Sequence, residues 1–78
     1  MKGHVFVSVE FPDDINVVGY TYWYLCEFEG VDIGTLVIAP LGSHNRLQTG
    51  VVRRIMFAEE PYAPYPLTKI KRIEALKG

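Results

Sequence analysis

Alternating and continuous runs of apolar residues indicate that this chain is built mainly from β-strands. Over residues 4–11 every second side chain from Val5 onward is apolar, which is typical of a strand with one buried face. Residues 20–28 predict a second strand, whose two faces both carry aromatic rings. Residues 36–39 form an unbroken apolar run soon after a glycine, and we expect a strand that is buried on both sides.

The third strand opens the most informative stretch of the chain, a predicted hairpin. Pro40 cannot donate a backbone hydrogen bond and Gly42 allows a sharp turn, so we expect the strand to end there. Polar residues 43–49 predict a long tip, and residues 50–57 predict the returning strand. Such hairpins form the middle of small β-barrels, in which closure removes exposed sheet edges. We therefore expect a single domain over residues 1–78.

The last part of the chain combines a stiff connector with an ambiguous element. Pro61, Pro64 and Pro66 exclude a helix and a central strand over residues 61–66, so we expect an extended connector that lies over the barrel. Residues 69–76 fit both one face of a helix and the edge of a strand. The local pattern leaves that choice open.

Composition narrows the classes of function. Hydrophobic residues make up 49% of the chain, which is typical of a globular protein. No apolar run approaches the roughly 20 residues of a membrane span and no signal peptide is visible, so we expect a cytoplasmic location. Cys26 is the only cysteine, which excludes an internal disulfide and a cysteine zinc site. No nucleophile with a base, metal-ligand set or cofactor loop is present, and we expect no enzyme, cofactor or metal.

The net charge of −1 hides a division between the two halves of the chain. Residues 1–32 carry a formal charge of −5, whereas residues 33–78 carry +4. If folding gathers the later basic residues on one face, that face suits a phosphate backbone. Charges spread evenly for solubility are the alternative. Arg46, with His44 and Asn45, forms the best polar cluster, and it contacts either phosphate or solvent.

Five short motifs follow one another along nearly the whole chain. They are the alternating strand at 5–9, Tyr-Trp-Tyr at 22–24, the glycine-containing hairpin at 31–42, Gly-Val-Val at 50–52 and Ile-Lys-Arg-Ile at 70–73. This order resembles the N-terminal DNA-binding domain of the primosomal replication-restart helicase PriA. The resemblance implies a mainly all-β, SH3-like or OB-like barrel of five to six strands, with the proline-rich connector before the last element. It also implies a primosome-type role in DNA replication, holding the 3′ end of a strand at a fork.

The resemblance also implies a set of DNA-binding residues. The family's cleft corresponds by motif to Tyr22, Trp23, Gly42 and Lys71. Trp23 stands where the family has the acid that accepts the terminal hydroxyl, and an indole has a donor but no acceptor. We expect Trp23 to stack a base or to close the pocket instead. No phosphate loop or helicase motor accompanies the motifs, so we expect a lone module or an accessory to another protein.

Two functions follow from these observations. In the first, the chain binds single-stranded or forked DNA: Tyr22 and Trp23 stack bases, while Lys71, Arg46 and either Arg53 or Arg54 contact phosphates. Adjacent strand residues face opposite ways, so only one of those two arginines is expected on a given face. In the alternative, the chain is a protein-interaction module without nucleic-acid binding, whose aromatic residues hold a peptide or a second copy as a weak homodimer.

Overall fold

Six strands form one sheet in the computed structural model, which describes residues 3–77. The strands are β1 (Gly3–Glu10), β2 (Thr21–Cys26), β3 (Leu36–Leu41), β4 (Arg46–Glu59), β5 (Lys71–Arg72) and β6 (Ala75–Leu76). Their order across the sheet is β5-β2-β1-β4-β3-β6. The prediction of a small, mainly all-β fold is confirmed. None of the helices in residues 3–77 has the length and apolar character of a membrane span.

The short strands β5 and β6 connect the two ends of this sheet. β5 pairs in parallel with β2, and β6 pairs antiparallel with β3. Between them, the Ile73 amide donates to the Leu25 carbonyl, and the Glu74 amide donates to the Ile38 carbonyl. The sheet is therefore curled, as predicted for a barrel-like fold. These pairings also resolve the ambiguity at residues 69–76 in favour of strands.

The inner face of the curled sheet holds the core. Val7, Val9, Val37 and Val52 have no exposed surface and belong to one apolar cluster with Tyr24, Cys26 and Ile73. The expectation that β1 buries only one face is wrong, because Phe6 and Ser8 on the opposite face are 0% and 1% exposed. β1 lies between β2 and β4, and side chains of both neighbours flank Phe6 and Ser8. The outer face of this central strand is therefore shielded from solvent, whereas the same face of an edge strand would be exposed.

The hairpin of β3 and β4 differs from the sequence prediction in two ways. First, β3 buries one face only: Val37, Ala39 and Leu41 point inward, whereas Leu36 is 41% exposed. Second, the strand continues through Pro40, and β4 begins at Arg46, so the turn spans only residues 42–45. Gly42 and Asn45 hold positive φ angles of 80° and 51°, and this left-handed backbone makes a short turn possible.

A β-bulge in β4 changes the direction of two arginines. Val9 pairs with Val52 but Ser8 pairs with Arg54, which leaves Arg53 as an extra residue. Arg53 reaches Glu10, which lies on the same outer face of β1 as Ser8. A bulge places two successive residues opposite one partner, so both arginines lie on the outer face. The expectation that they face opposite ways is wrong for this reason.

The proline-rich connector joins the end of β4 to β5 at the far edge of the sheet. It begins with one 3-10 turn at Glu60–Tyr62 and contains no strand. Ala63, Pro64 and Leu67 are half-buried, so the connector packs against the barrel. The predicted position of the connector before the last element is confirmed, but the expectation of an extended conformation is wrong, because the 3-10 turn and a second turn closed by the Pro66 carbonyl fold the connector. The connector brings residues 65–70 toward β2.

Candidate nucleic-acid interface

A cleft of about 470 Å³ lies along the edge of β2. β5 pairs with β2 only at Tyr24 and Leu25, so no strand of the described chain occupies this edge at Thr21–Trp23. The hairpin turn and the connector form the other walls of the cleft. The lining residues are Val17, Thr21, Tyr22, Trp23, Tyr24, Leu41, Gly42, Tyr65, Lys69, Ile70 and Lys71.

The four positions implied by the family resemblance meet in this cleft. Tyr22, Trp23, Gly42 and Lys71 all line it, although they come from three separate parts of the chain. Arg46 lines a neighbouring cleft of about 240 Å³ on the other side of Gly42. The two clefts share Val17, Leu41 and Gly42, so Arg46 lies next to the main cleft rather than in it.

Tyr22 and Trp23 enter the cleft from opposite faces of β2. Tyr22 pairs with Val9 of the core face, whereas Trp23 pairs with Ser8 of the outer face. Side chains of adjacent strand residues alternate between faces, and directly paired residues share a face. The two rings therefore flank the strand edge and cannot form one continuous stack. The indole is half-buried, and Tyr22 is 38% exposed.

Tyr24 fixes the inner wall of the cleft. Its hydroxyl donates to the Pro40 carbonyl oxygen at 2.7 Å, which ties β2 to the end of β3. Its ring packs edge-on against Phe11, with 6.0 Å between centroids. Burial raises the pKa of the Tyr24 phenol well above its ordinary value, with a smaller contribution from Tyr22. The phenol stays protonated and remains a hydrogen-bond donor at neutral pH.

Lys71 connects the closing strand to the hairpin turn. Its ammonium donates to the Gly42 carbonyl oxygen at 2.7 Å. That carbonyl belongs to a turn in which Gly42 has a positive φ. A lysine ammonium has three donors, so one bond to Gly42 leaves two for a ligand in the cleft.

The neighbouring cleft has mixed charge. Arg46 and His44 line it together with Asp14. The Asp14 carboxylate accepts from Gln48 Nε2 at 3.1 Å and from the Asn16 amide at 2.9 Å. These hydrogen bonds hold the pKa of Asp14 below its usual value, and the bond from Gln48 has the largest effect. An ionised carboxylate beside Arg46 makes this cleft a weaker phosphate site than the main one.

The connector supplies cleft residues that the sequence analysis did not assign to the site. Lys69, Ile70 and Tyr65 all line the main cleft. The sequence has a basic cluster at residues 69–72, and this cluster was the signal that could have assigned Lys69 to a phosphate-binding site. No local pattern shows where a connector returns to a barrel, so Tyr65 could not be placed in advance.

The other basic residues near the cleft are divided between ion pairs and open surface. Arg53 pairs with Glu10 at 2.8 Å, and Arg72 pairs with Glu27 at 3.3 Å. Arg54 lies in a cross-strand row with Ser8 and Trp23 on the outer face. The basic residues of the second half therefore do not form one continuous face, but Lys69, Lys71 and Arg46 are grouped around Gly42.

Comparison with known proteins found no relative of this chain. No family model matches the chain, and neither does any curated protein or solved structure. The resemblance to the PriA domain therefore stays a prediction that depends on the short motifs and the cleft they form.

Proposed function

We propose that this chain is a nucleic-acid-binding module that holds single-stranded or forked DNA in the β2 cleft. The observation that carries the proposal is the meeting of aromatic rings and ammonium groups at one strand edge. Tyr22, Trp23 and Tyr65 line the cleft together with Lys69 and Lys71. Rings that stack bases beside cations that contact phosphates are the usual means of binding a single strand.

The charge of the cleft also favours a polyanion. Among the residues that the structure describes, those lining the cleft include two lysines and no carboxylate. Arg46 lies just beyond Gly42, where it extends the positive region along the hairpin turn. The nearest acid in the adjoining cleft, Asp14, is engaged by Gln48 and Asn16. A strand that follows the β2 edge and continues past Gly42 thus meets two cations in the cleft and a third beside it.

The affinity for a single strand is expected to depend on salt in proportion to these three cations. For single-stranded DNA the slope of log affinity against log salt is about −0.7 per phosphate contact, so we expect a slope of roughly −2. Affinity should fall roughly 15-fold between 50 and 200 mM salt. Fluorescence anisotropy of a labelled oligothymidine, titrated at several salt concentrations, measures this slope. Absence of binding, or binding that salt does not change, contradicts the proposal.

We expect the bound strand to be held by its bases and backbone rather than by a terminal hydroxyl. Trp23 occupies the position of the family's acid, and none of the described residues lines the cleft with a carboxylate that could accept a hydrogen bond from a 3′ hydroxyl. Oligonucleotides that end in a 3′ hydroxyl or a 3′ phosphate should therefore bind equally well in the same titration. A loss of affinity of tenfold or more on 3′ phosphorylation would show that the end itself is recognised.

One observation supports a second candidate, a peptide-binding module. Within residues 3–77, the edge of β2 has no strand neighbour at Thr21–Trp23, and an exposed edge can accept an extended peptide. Backbone hydrogen bonds would then provide affinity and the aromatic walls specificity. The salt titration separates the two candidates, because this one predicts indifference to DNA.

A further inference from the structure

The second half of β4 has an open edge. β3 pairs with β4 over residues 46–51, and backbone bonds from Gly34 and Thr35 extend this contact only to Val52. Over residues 53–59, within the described part of the chain, β4 has a strand neighbour on one side only, β1. Alternate amide and carbonyl groups of a strand point to each side, so this edge presents unpaired backbone groups.

The side chains along this edge are unusually apolar for an exposed strand. Phe57 is 71% exposed and Ile55 is 40% exposed, with Met56 and Ala58 beside them. Natural edge strands are usually protected by charges or prolines near the centre. Here the charged residues stand only at the two ends. The centre of the edge, residues 55–58, has no such protection.

The charges at the two ends are complementary to each other. Residues 53–60 read Arg-Arg-Ile-Met-Phe-Ala-Glu-Glu, with both cations first and both anions last. If a second copy runs antiparallel along this segment with Phe57 opposite its own symmetry mate, Glu60 of each copy lies beside Arg54 of the other. The apolar centres then face each other around a two-fold axis, as an isologous interface requires.

We propose that two copies of this chain associate through this edge of β4, forming a continuous antiparallel ladder between their sheets. The occupant is a second copy because the segment complements its own reversed sequence in charge and in apolar residues. The interface is distinct from the β2 cleft, whose lining residues include none from β4. Dimerisation would therefore place two clefts on one particle, and its failure would leave the proposed DNA binding untouched.

Sedimentation velocity over a concentration series tests the interface. The unmodified chain should show a monomer–dimer equilibrium. Arg54→Glu and Glu60→Arg each set like charges opposite one another, and each should raise the dimer dissociation constant roughly tenfold or more. An equimolar mixture of these two variants sets opposite charges at both ends of the ladder between unlike copies, so a heterodimer should form more readily than either variant homodimer.

A second pair of variants tests the apolar centre. Phe57→Lys should abolish the dimer, whereas Ile15→Lys, at a side chain that is 87% exposed in the turn after β1, should leave it intact. Circular dichroism establishes that each variant is folded. A chain that stays monomeric at every concentration overturns the proposal, even if it binds a strand-forming peptide. A dimer that survives the β4 variants also overturns it, because another surface then carries the association.

Discussion

Replacing Gly50 by alanine should lower the free energy of unfolding by about 2–3 kcal/mol. Gly50 lies in β4, where it is buried and pairs with Val37 of β3. A methyl group at this position would clash with the Val9 side chain, and it would lie 3.0 Å from both the Glu10 carbonyl oxygen and the Phe11 ring. The carbonyl is backbone of the neighbouring β1, so relief requires the two strands to separate.

Gly19→Ala is the matched control for this prediction. Gly19 has a φ of +89° but nothing within 4 Å of an added methyl group, so alanine there meets backbone strain without a steric clash. That strain costs about 1–2 kcal/mol. Urea unfolding of the two variants, followed by circular dichroism, compares the costs. If Gly50→Ala destabilises the protein no more than Gly19→Ala does, the close approach of β1 and β4 is not what requires glycine.

Replacing Trp23 by alanine should weaken the binding of a single strand tenfold to hundredfold. Stacking of one base on an aromatic side chain contributes roughly 1–3 kcal/mol, and Trp23 offers the largest ring of the cleft. The loss should appear in fluorescence anisotropy with a labelled oligothymidine at low salt. Since stacking involves no counterion release, the salt slope should stay near its original value.

Two further variants make this result interpretable. Trp23→Phe keeps an aromatic ring beside Ser8 and should retain most of the affinity, which separates lost stacking from lost folding. Tyr62→Ala removes a ring that is 75% exposed and lies outside the cleft, so it should bind like the unmodified chain. Equal losses in Trp23→Ala and Tyr62→Ala would contradict a specific stacking role for the indole.

Strand identity and the general architecture could be predicted from the sequence because they depend on local patterns. Alternation over residues 4–11 indicates a pleated strand, and the three prolines at 61, 64 and 66 exclude an α-helix and a central strand in the connector. The closing strands at residues 71–76 were ambiguous because their assignment depends on partners. Only the edges of β2 and β3, which supply the acceptors for Ile73 and Glu74, decide between strand and helix.

Burial of the second face of β1 depends on tertiary structure and was not visible in the sequence. Ser8 is a polar residue on the face expected to meet solvent, yet it is 1% exposed because Trp23 and Arg54 stand on either side of it. The bulge at Arg53 could not be predicted from the sequence either, because the register between two strands has no local sequence signature. That one extra residue turned two arginines expected on opposite faces toward the same face.

The candidate site shows the same division. Motif order indicated Tyr22, Trp23, Gly42 and Lys71, and the structure brings these four together. The motif order did not indicate that Tyr65 lines the cleft. It also did not indicate that the hairpin turn separates Arg46 from the main cleft. The opposite directions of Tyr22 and Trp23 did follow from strand alternation, which limits stacking to one ring on each side of the β2 edge.

The most direct test of the account is to map the binding surface by NMR with an unlabelled oligothymidine. We predict that amide signals of Thr21–Tyr24, Gly42 and residues 69–71 shift on titration, with Arg46 affected less. Residues that line neither cleft, such as Phe57, should serve as unshifted references. If the cleft amides stay unchanged at saturating DNA, or if the shifts cluster elsewhere, this cleft is not a nucleic-acid interface.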